Sequence, residues 1–249
     1  MSSLEELLDT QRKRPISATI YGPAGVGKTS LAALFPNPIF IRAEDGLASV
    51  GDTVPAFPVA DKFQDLLDQV RAVGDREHDF KTLVIDSITK ASRMVETELM
   101  RDEGKDNLAA CRGGYGAGYQ YCAERLGQLK FLCDKLSQHR DMHIVFIAHE
   151  GEEQITPPDS EPYSRWTLRM NKRYLAPFTD DVDLCAHLRI NTLIHGTGDK
   201  KRAKSDGTRI IQLTSGPATV AKNRFGISDD VVFEPGANPL LSLIPQLQE

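Results

Sequence analysis

Residues 21–30, YGPAGVGKTS, lie between the apolar runs ISATI and LAALF. The positions of Gly22, Gly27, Lys28 and Thr29 fit the pattern G-x-x-x-x-G-K-[ST]. Glycines let the backbone curl so that successive N–H groups face anionic oxygens, the lysine reaches the terminal phosphates, and the hydroxyl contacts Mg²⁺. Because the match falls between a strand and a helix, we predict a nucleoside triphosphate site rather than a chance glycine-rich turn. The predicted phosphate-binding residues are Gly22, Pro23, Ala24, Gly25, Val26, Gly27, Lys28, Thr29 and Ser30.

Length and composition are those of one soluble α/β domain with a single core. No apolar run is long enough for a membrane span, and the first residues lack the apolar segment of a secretory signal. The four cysteines form no C-x-x-C pair, which favours buried free thiols and a reducing cytoplasm. A net charge of −5 argues against bulk coating of nucleic acid but allows a local basic path.

Apolar strand-like runs alternate with helical patterns along the first two thirds of the chain. The strand-like runs are SATIYG, PIFIR, KTLVID, MHIVFIAH, VDLCAHLRIN and RIIQLT, and the helical patterns cover 28–35, 62–73, 88–102 and 117–139. This alternation predicts a mainly parallel sheet flanked by helices. We expect a single domain over 1–249, with a helix in 1–14 and an antiparallel C-terminal extension over 180–249, including a polar hairpin at 195–209.

A carboxylate for the metal shell is expected opposite the glycine-rich loop. KTLVID is an apolar strand that ends at Asp86, where α/β sheets place ligands. We therefore predict that Thr29 and Asp86 hold a metal ion, the alternative being that Asp86 only caps the next helix. GTPases carry a glycine where this chain has Thr89, and many AAA+ ATPases carry a catalytic glutamate where it has Ser87.

The catalytic base must then come from another strand. PIFIRAEDG places Glu44 just past an apolar run, where its carboxylate could orient a water at the γ-phosphate. The alternative is a solvated loop acid beside Asp45.

Four motifs in order resemble the RecA-type core ATPases, and most of all the small RecA-like recombination proteins of bacteriophages. Ala43-Glu44 matches the pair that holds the catalytic base, and Asp86-Ser87 matches the end of the metal-binding strand. HIVFIAHE places His149 at the γ-phosphate-sensing position, where RecA has glutamine. VAKNRFG matches an element whose two cations, here Lys222 and Arg224, reach the neighbouring subunit's nucleotide. The resemblance covers about residues 16–226 and implies ATP and Mg²⁺ as cofactors.

Two glycine- and aromatic-rich segments occupy the order of the two DNA-binding loops of that family. The first, 111–121, offers Tyr115 and Tyr119 as stacking faces, although Tyr119 and Tyr121 are alternatively helix residues packed in the core. The second, 164–174, supplies the residues that we predict to bind DNA: Arg165, Trp166, Arg169, Lys172 and Arg173. Four acids lie close by in the sequence and offset these cations: Glu152, Glu153, Asp159 and Glu161.

These features together predict a RecA-like ATPase that binds single-stranded DNA and promotes annealing or recombination. Its expected partners are single-stranded DNA, further copies of itself in a ring or filament, and a single-strand-binding protein; no membrane is expected. The expected setting is the cytoplasm, that of a bacterial host if the chain is encoded by a phage. The alternatives are an ATP-switched loader that acts on a replication protein and a small-molecule kinase. The kinase is disfavoured because no arginine-rich lid is evident.

Overall fold

A computed structural model describes residues 14–47, 50, 54–195 and 202–248. Its centre is a mixed sheet in which β11 (Val231–Phe233) and β9 (Arg209–Gln212) lie beside five further strands, in the order β11-β9-β6-β1-β4-β3-β2. Five neighbouring strands of this sheet run parallel: β1 (Ser17–Gly22), β2 (Pro38–Arg42), β3 (Thr82–Asp86), β4 (His143–Ile155) and β6 (Leu184–Ile190). The predicted mainly parallel sheet is confirmed.

Helices cover both faces of the parallel strands, which explains why those strands read as continuous apolar runs. The main helices are α1 (Lys28–Ala32), α2 (Phe63–Asp75), α3 (Ile88–Asp102) and α4 (Ala117–Arg140). One buried cluster joins α2, α3 and α4 to one face of the sheet, and a second joins α1 and the C-terminal segment to the other face. The chain therefore has the layered arrangement of an α/β nucleotide-binding fold.

The antiparallel part of the sheet begins later than the sequence predicts. Strand β6 lies within the predicted 180–249 extension but pairs with β1 in parallel, because its apolar run is long enough to be buried beside β1. The antiparallel strands are β9 (Arg209–Gln212), β10 (Lys222–Asn223) and β11 (Val231–Phe233). The two strands that the predicted polar hairpin loop joins, β6 and β9, do pair antiparallel. Within the connection β7 (Leu193–His195) pairs with β8 (Arg202–Lys204), and residues 196–201 lie outside the described residues. The helix predicted in 1–14 lies almost entirely outside the described residues.

The first half of the segment predicted as the second DNA loop is a strand. Strand β4 continues to Ile155 and forms a hairpin with β5 (Tyr163–Leu168), which contains Arg165 and Trp166. Alternating side chains on both strands favour this pairing over a loop.

The remaining helical segments are short. They are α5 (Ala176–Thr179), α6 (Leu240–Leu243) and the 3-10 helices Leu108–Gly113, Lys172–Tyr174 and Pro245–Leu247. The four cysteines are free and buried. None of the helices in the described part of the chain is both long and apolar enough to span a bilayer.

Candidate functional site

The glycine-rich loop lies at the carboxyl edge of the sheet, between β1 and α1. A side chain at Gly22 would place Cβ 2.0 Å from the Leu188 carbonyl oxygen, so glycine is needed for the close approach of β6. Gly27 has a φ of 103°, a left-handed backbone that glycine adopts without strain. These two requirements explain why the motif residues form this turn.

Lys28 is buried in the loop, with only 6% of the residue exposed. Its Nζ donates to the carbonyl oxygens of Gly22 and Pro23 at 3.0 and 2.8 Å. Burial lowers the pKa of Lys28, while the carboxylates of Asp86 and Glu150 oppose this shift. The amine therefore lies inside the loop, next to carboxylates that favour its charged form.

Thr29 and Asp86, the two predicted metal-binding residues, are in contact. The Thr29 hydroxyl donates to Oδ2 of Asp86 at 2.8 Å. Burial raises the pKa of Asp86, and the hydrogen bond from Thr29 opposes that rise. Among the described residues, no group of three or more His, Cys, Asp or Glu side chains is placed to hold a metal ion by itself. A hydroxyl and one carboxylate do fit Mg²⁺, which commonly takes its other ligands from phosphates and water.

Glu44 lies two residues past the end of β2 and beside the end of β3. The Ala43 N–H donates to the Asp86 carbonyl oxygen at 2.7 Å, which brings the two strand ends together. Oε1 of Glu44 accepts from the Ser87 hydroxyl at 2.5 Å and contacts Nε2 of His149 at 3.1 Å. The His149 hydrogen bond, helped by Ser87, lowers the pKa of Glu44 to about 2. Glu44 is therefore a partly buried, held carboxylate rather than a freely solvated loop acid.

His149 lies between Glu44 and the glycine-rich loop. It lies in β4 in register with Gly22, and its N–H donates to the Thr89 hydroxyl at 3.0 Å. Because an ionised carboxylate only accepts hydrogen bonds, Nε2 of His149 carries the proton toward Glu44. The structure thus brings together Lys28, Thr29, Glu44, Asp86 and His149, as the sequence predicts.

A second polar group beside this site was not predicted from the sequence. Nε2 of His187 contacts Oε2 of Glu150 at 2.8 Å, and the His187 ring stacks on Tyr21 with centroids 4.6 Å apart. Burial lowers the pKa of His187, and the hydrogen bond with Glu150 opposes this. The Tyr21 hydroxyl donates to the Val220 carbonyl at 2.6 Å and to that of Trp166 at 3.2 Å. The sequence signal for this group was weak: Glu150 and His187 are polar residues within the strands β4 and β6.

Lys222 and Arg224 lie at the opposite, amino edge of the sheet. Arg224 forms an ion pair with Asp183 at 3.0 Å, and Asp183 also accepts from the Ser17 N–H at the start of β1. Lys222 donates to the Asp180 carbonyl. At about 3.3 Å per strand residue, the start of β1 is about 16 Å from Gly22. These cations therefore do not reach the loop of their own subunit.

From the sequence alone, the strand-like segment PATVAKNRFG predicts that Lys222 and Arg224 project from the same face with no acid nearby, and the structure corrects both expectations. The sequence shows no acid near Lys222 and Arg224, whereas the fold places Asp183 beside Arg224 because β10 pairs with the start of β6. The alternating strand that would put both side chains on one face is only Lys222–Asn223, and Arg224 lies outside it.

The predicted DNA-binding residues lie around the β4–β5 hairpin. Arg165 is opposite Glu153 in the strand register and forms an ion pair with it at 3.0 Å. Trp166 is 42% exposed, and its backbone is held between Ala218 and Val220. The hairpin therefore presents an exposed aromatic side chain, and the arginine that precedes it in the sequence is already paired.

The other predicted cations line an open cleft of about 830 Å³ between the hairpin and α3. Arg169, Lys172 and Arg173 are joined there by Arg93, which the sequence did not single out. The Arg173 guanidinium lies over the Tyr119 ring, 4.6 Å from its centroid. The two predicted DNA segments thus meet in one cleft.

The first segment differs from the predicted loop in its second half. Tyr119 and Tyr121 lie in α4 and pack partly against the core, as the alternative interpretation held. Tyr115, in the turn before that helix, is fully exposed.

Comparison with known families decides the class of this site. The profile of a family described as an AAA domain matches residues 14–225 and so includes the loop, both strand-end acids and His149. The chain belongs to this AAA-domain family. It is an AAA-type P-loop NTPase domain, the class of domain that binds and hydrolyses nucleotides. Comparison with curated proteins gives no significant match.

Proposed function

We propose that this AAA domain hydrolyses ATP with Mg²⁺ at the carboxyl edge of its parallel sheet, by a RecA-like arrangement of residues. The observation that carries the proposal is the placement of Glu44. This carboxylate is held by Ser87 and His149 next to the Thr29–Asp86 pair, although these residues come from four separate segments of the chain. P-loop ATPases need such an acceptor near the metal shell in order to position water.

Each side chain has a distinct part in the proposed reaction. Lys28 binds the β- and γ-phosphate oxygens, and the loop N–H groups hold the phosphate chain. Thr29 and Asp86 would hold Mg²⁺, which neutralises developing charge on the phosphates when bound. Both hydrogen bonds to Glu44 fall on Oε1, so Oε2 is the oxygen that orients the attacking water.

His149 supports the base and reports on the γ-phosphate in this proposal. Its backbone position is fixed by the Gly22 register and by Thr89, so only its ring has freedom to move. A γ-phosphate that competes for Nε2 would release Oε1 of Glu44. The sensing role that the RecA resemblance implies would thus act directly on the base.

The complete site is proposed to form between subunits. Lys222 and Arg224 are too far from their own loop, and Arg224 is half exposed beside Asp183. In a ring or filament these cations would face the neighbouring subunit's γ-phosphate, where transition-state charge accumulates. Such a role requires Arg224 to exchange Asp183 for phosphate.

Single-stranded DNA is the proposed polymer ligand. The cleft offers cations for phosphates and the Tyr119 ring for a base, although three acids also line it: Glu96, Glu152 and Glu153. Trp166 does not line the cleft and offers a second aromatic face on the hairpin. This chemistry suits binding without sequence preference and supports an annealing or recombination activity. The second candidate is a loader that acts on a replication protein, favoured by the Arg165–Glu153 pair, which removes one cation from DNA contact.

The deciding experiment is ATP hydrolysis by the purified chain with and without single-stranded DNA. We expect Mg²⁺-dependent hydrolysis that single-stranded DNA stimulates at low salt and loses at high salt. A rate of ATP hydrolysis that does not change when single-stranded DNA is added would favour the loader. Absence of both ATP binding and hydrolysis would contradict the proposed site.

A further inference from the structure

Arg209 and Phe233 lie against the side of the glycine-rich loop that faces away from the metal-binding pair. A Cβ on Gly27 would be 3.1 Å from a terminal nitrogen of Arg209 and 3.3 Å from the Phe233 ring. The Arg209 guanidinium is 6.0 Å from the centroid of that ring. Arg209 starts β9 and Phe233 ends β11, and the two residues are opposite each other in the antiparallel register.

The strand order shows on which side of the loop a nucleoside would lie. Asp86 ends β3 and Glu44 follows β2, and both strands lie on the β4 side of β1. β9 and β11 lie beyond β6, on the other side of β1. A triphosphate whose γ end lies beside Glu44 and His149 crosses the loop, so its nucleoside end extends toward β9 and β11.

A pocket of about 370 Å³ is present at that place. Its volume lies within the range of about 300–1,000 Å³ that is usual for small-ligand sites. It is lined by Asp206, Gly207, Thr208, Arg209, Val232, Phe233, Glu234 and Pro235. Phe233 is almost fully buried beneath the guanidinium, so it supports Arg209 from below.

The charge of Arg209 is available to a ligand. Within the part of the chain that the structure describes, Arg209 forms no ion pair, whereas the neighbouring Arg189 is paired with Asp230 at 3.1 Å. A guanidinium plane stacks well on the face of a nucleobase, and it does so better than a lysine ammonium.

We propose that this pocket binds the purine base of the nucleotide, with the base stacked on the Arg209 guanidinium. The proposal rests on the proposed ATP site, because it assumes that the phosphates occupy the glycine-rich loop. It assigns recognition of the nucleoside to the antiparallel part of the sheet, apart from the residues that bind phosphate and metal.

The test compares two ligands that differ in the base. The affinities of Mg²⁺-ATP and of Mg²⁺-tripolyphosphate, which has no nucleoside, are measured by calorimetry for the wild type, Arg209→Ala, Arg209→Lys, Arg189→Ala and Lys28→Ala. We expect Arg209→Ala to weaken ATP binding about tenfold and to leave tripolyphosphate binding unchanged. Arg209→Lys should lose most of the same affinity, because lysine keeps the charge but not the plane.

The controls separate the two proposals. Arg189→Ala removes a paired arginine from the adjacent strand and should bind both ligands as the wild type does. Lys28→Ala should weaken both ligands. The base site is wrong if Arg209→Ala binds ATP with normal affinity, or if it weakens the binding of ATP and tripolyphosphate equally. In either case the phosphate site is still supported, provided that Lys28→Ala weakens the binding of both ligands. If Lys28→Ala binds both ligands normally, the proposed ATP site itself is wrong.

Discussion

The carboxyl edge of the sheet and the β4–β5 hairpin both carry the polar side chains predicted to act, but the fold treats them differently. At the edge, Gly22 is in register with His149, and Arg42, the last residue of β2, is in register with Asp86. The polar residues there lie at or just past the ends of buried strands. Packing of those strands in the core therefore brings the polar residues together. On the hairpin, Arg165 is opposite Glu153, and a cross-strand acid decides how much of its charge remains available.

The comparison shows that the position of a charged side chain and the availability of its charge to a ligand are separate properties. Parallel strands that end at one edge bring their next residues together, and a sequence motif therefore predicts geometry well. A cation on an exposed hairpin is placed by pairing but is partly neutralised by neighbours that the motif does not include. We therefore expect substitutions at the edge to have larger effects than substitutions on the hairpin side.

The largest effect is expected for Lys28→Ala. This change removes the only amine that the described structure places inside the loop, and we expect turnover to fall about 10³-fold or more. Steady-state ATP hydrolysis measures it, with Lys135→Ala on the exposed face of α4 as the matched control. Equal losses of turnover in the two variants would contradict the expectation that substitutions at the carboxyl edge have larger effects than substitutions on the surface.

A loss of about 10²-fold is expected for Arg224→Ala, with ATP binding retained. Because Arg224 lies at the opposite edge from its own loop, its partner nucleotide should belong to another subunit. Mixing Arg224→Ala with Lys28→Ala subunits should restore part of the activity, since each supplies what the other lacks. No recovery in mixed oligomers, shown to form by crosslinking, would contradict action between subunits.

A smaller effect is expected for the triple change of Arg169, Lys172 and Arg173 to Ala. Single-strand affinity should fall, and the slope of log K against log salt should flatten by about 2, because three phosphate contacts are lost. Fluorescence anisotropy over a salt series measures both quantities. Arg165→Ala is the comparison variant and should change the slope least, since Glu153 already pairs with that side chain. If Arg165→Ala flattens the slope as much as the triple change, pairing does not limit availability.

The smallest effect is expected for Trp166→Ala. Loss of one stacking face should cost about 1–3 kcal/mol of single-strand binding with little change in salt slope. Trp166→Phe should retain most of the affinity. Unchanged DNA binding in Trp166→Ala would move the stacking platform elsewhere.

Much of the fold could be predicted from the sequence because strands, helices and strand ends depend mainly on residues that are neighbours in the chain. The bounds of β1, β2 and α3 are those of the predicted runs, and the loop, Asp86, Glu44 and His149 converge as expected. The parallel pairing of β6 and the β4–β5 hairpin depend on which strands become neighbours, which no local pattern shows. Arg209 and the Tyr21–His187–Glu150 group remained unseen for the same reason, because their partners are distant in the chain.

The low pKa of Glu44 predicts how ATP hydrolysis depends on pH. A base must be deprotonated to act, and the His149 and Ser87 hydrogen bonds lower the pKa of Glu44 to about 2. Glu44 therefore stays ionised between about pH 5 and 8, and any loss of turnover over that range must come from another group. A pH–rate profile of the wild type checks this.

The most direct test of the central claim, that a held Glu44 carboxylate orients the attacking water, is the comparison of Glu44→Gln with Asp45→Asn. Asp45 is the adjacent, exposed acid, and the ion pair that it forms within the described residues is with Arg42. ATP affinity and single-turnover hydrolysis are measured for both variants. We expect Glu44→Gln to bind ATP normally and to hydrolyse it about 10²-fold or more slowly, while Asp45→Asn remains close to the wild type. Normal hydrolysis by Glu44→Gln would contradict the account.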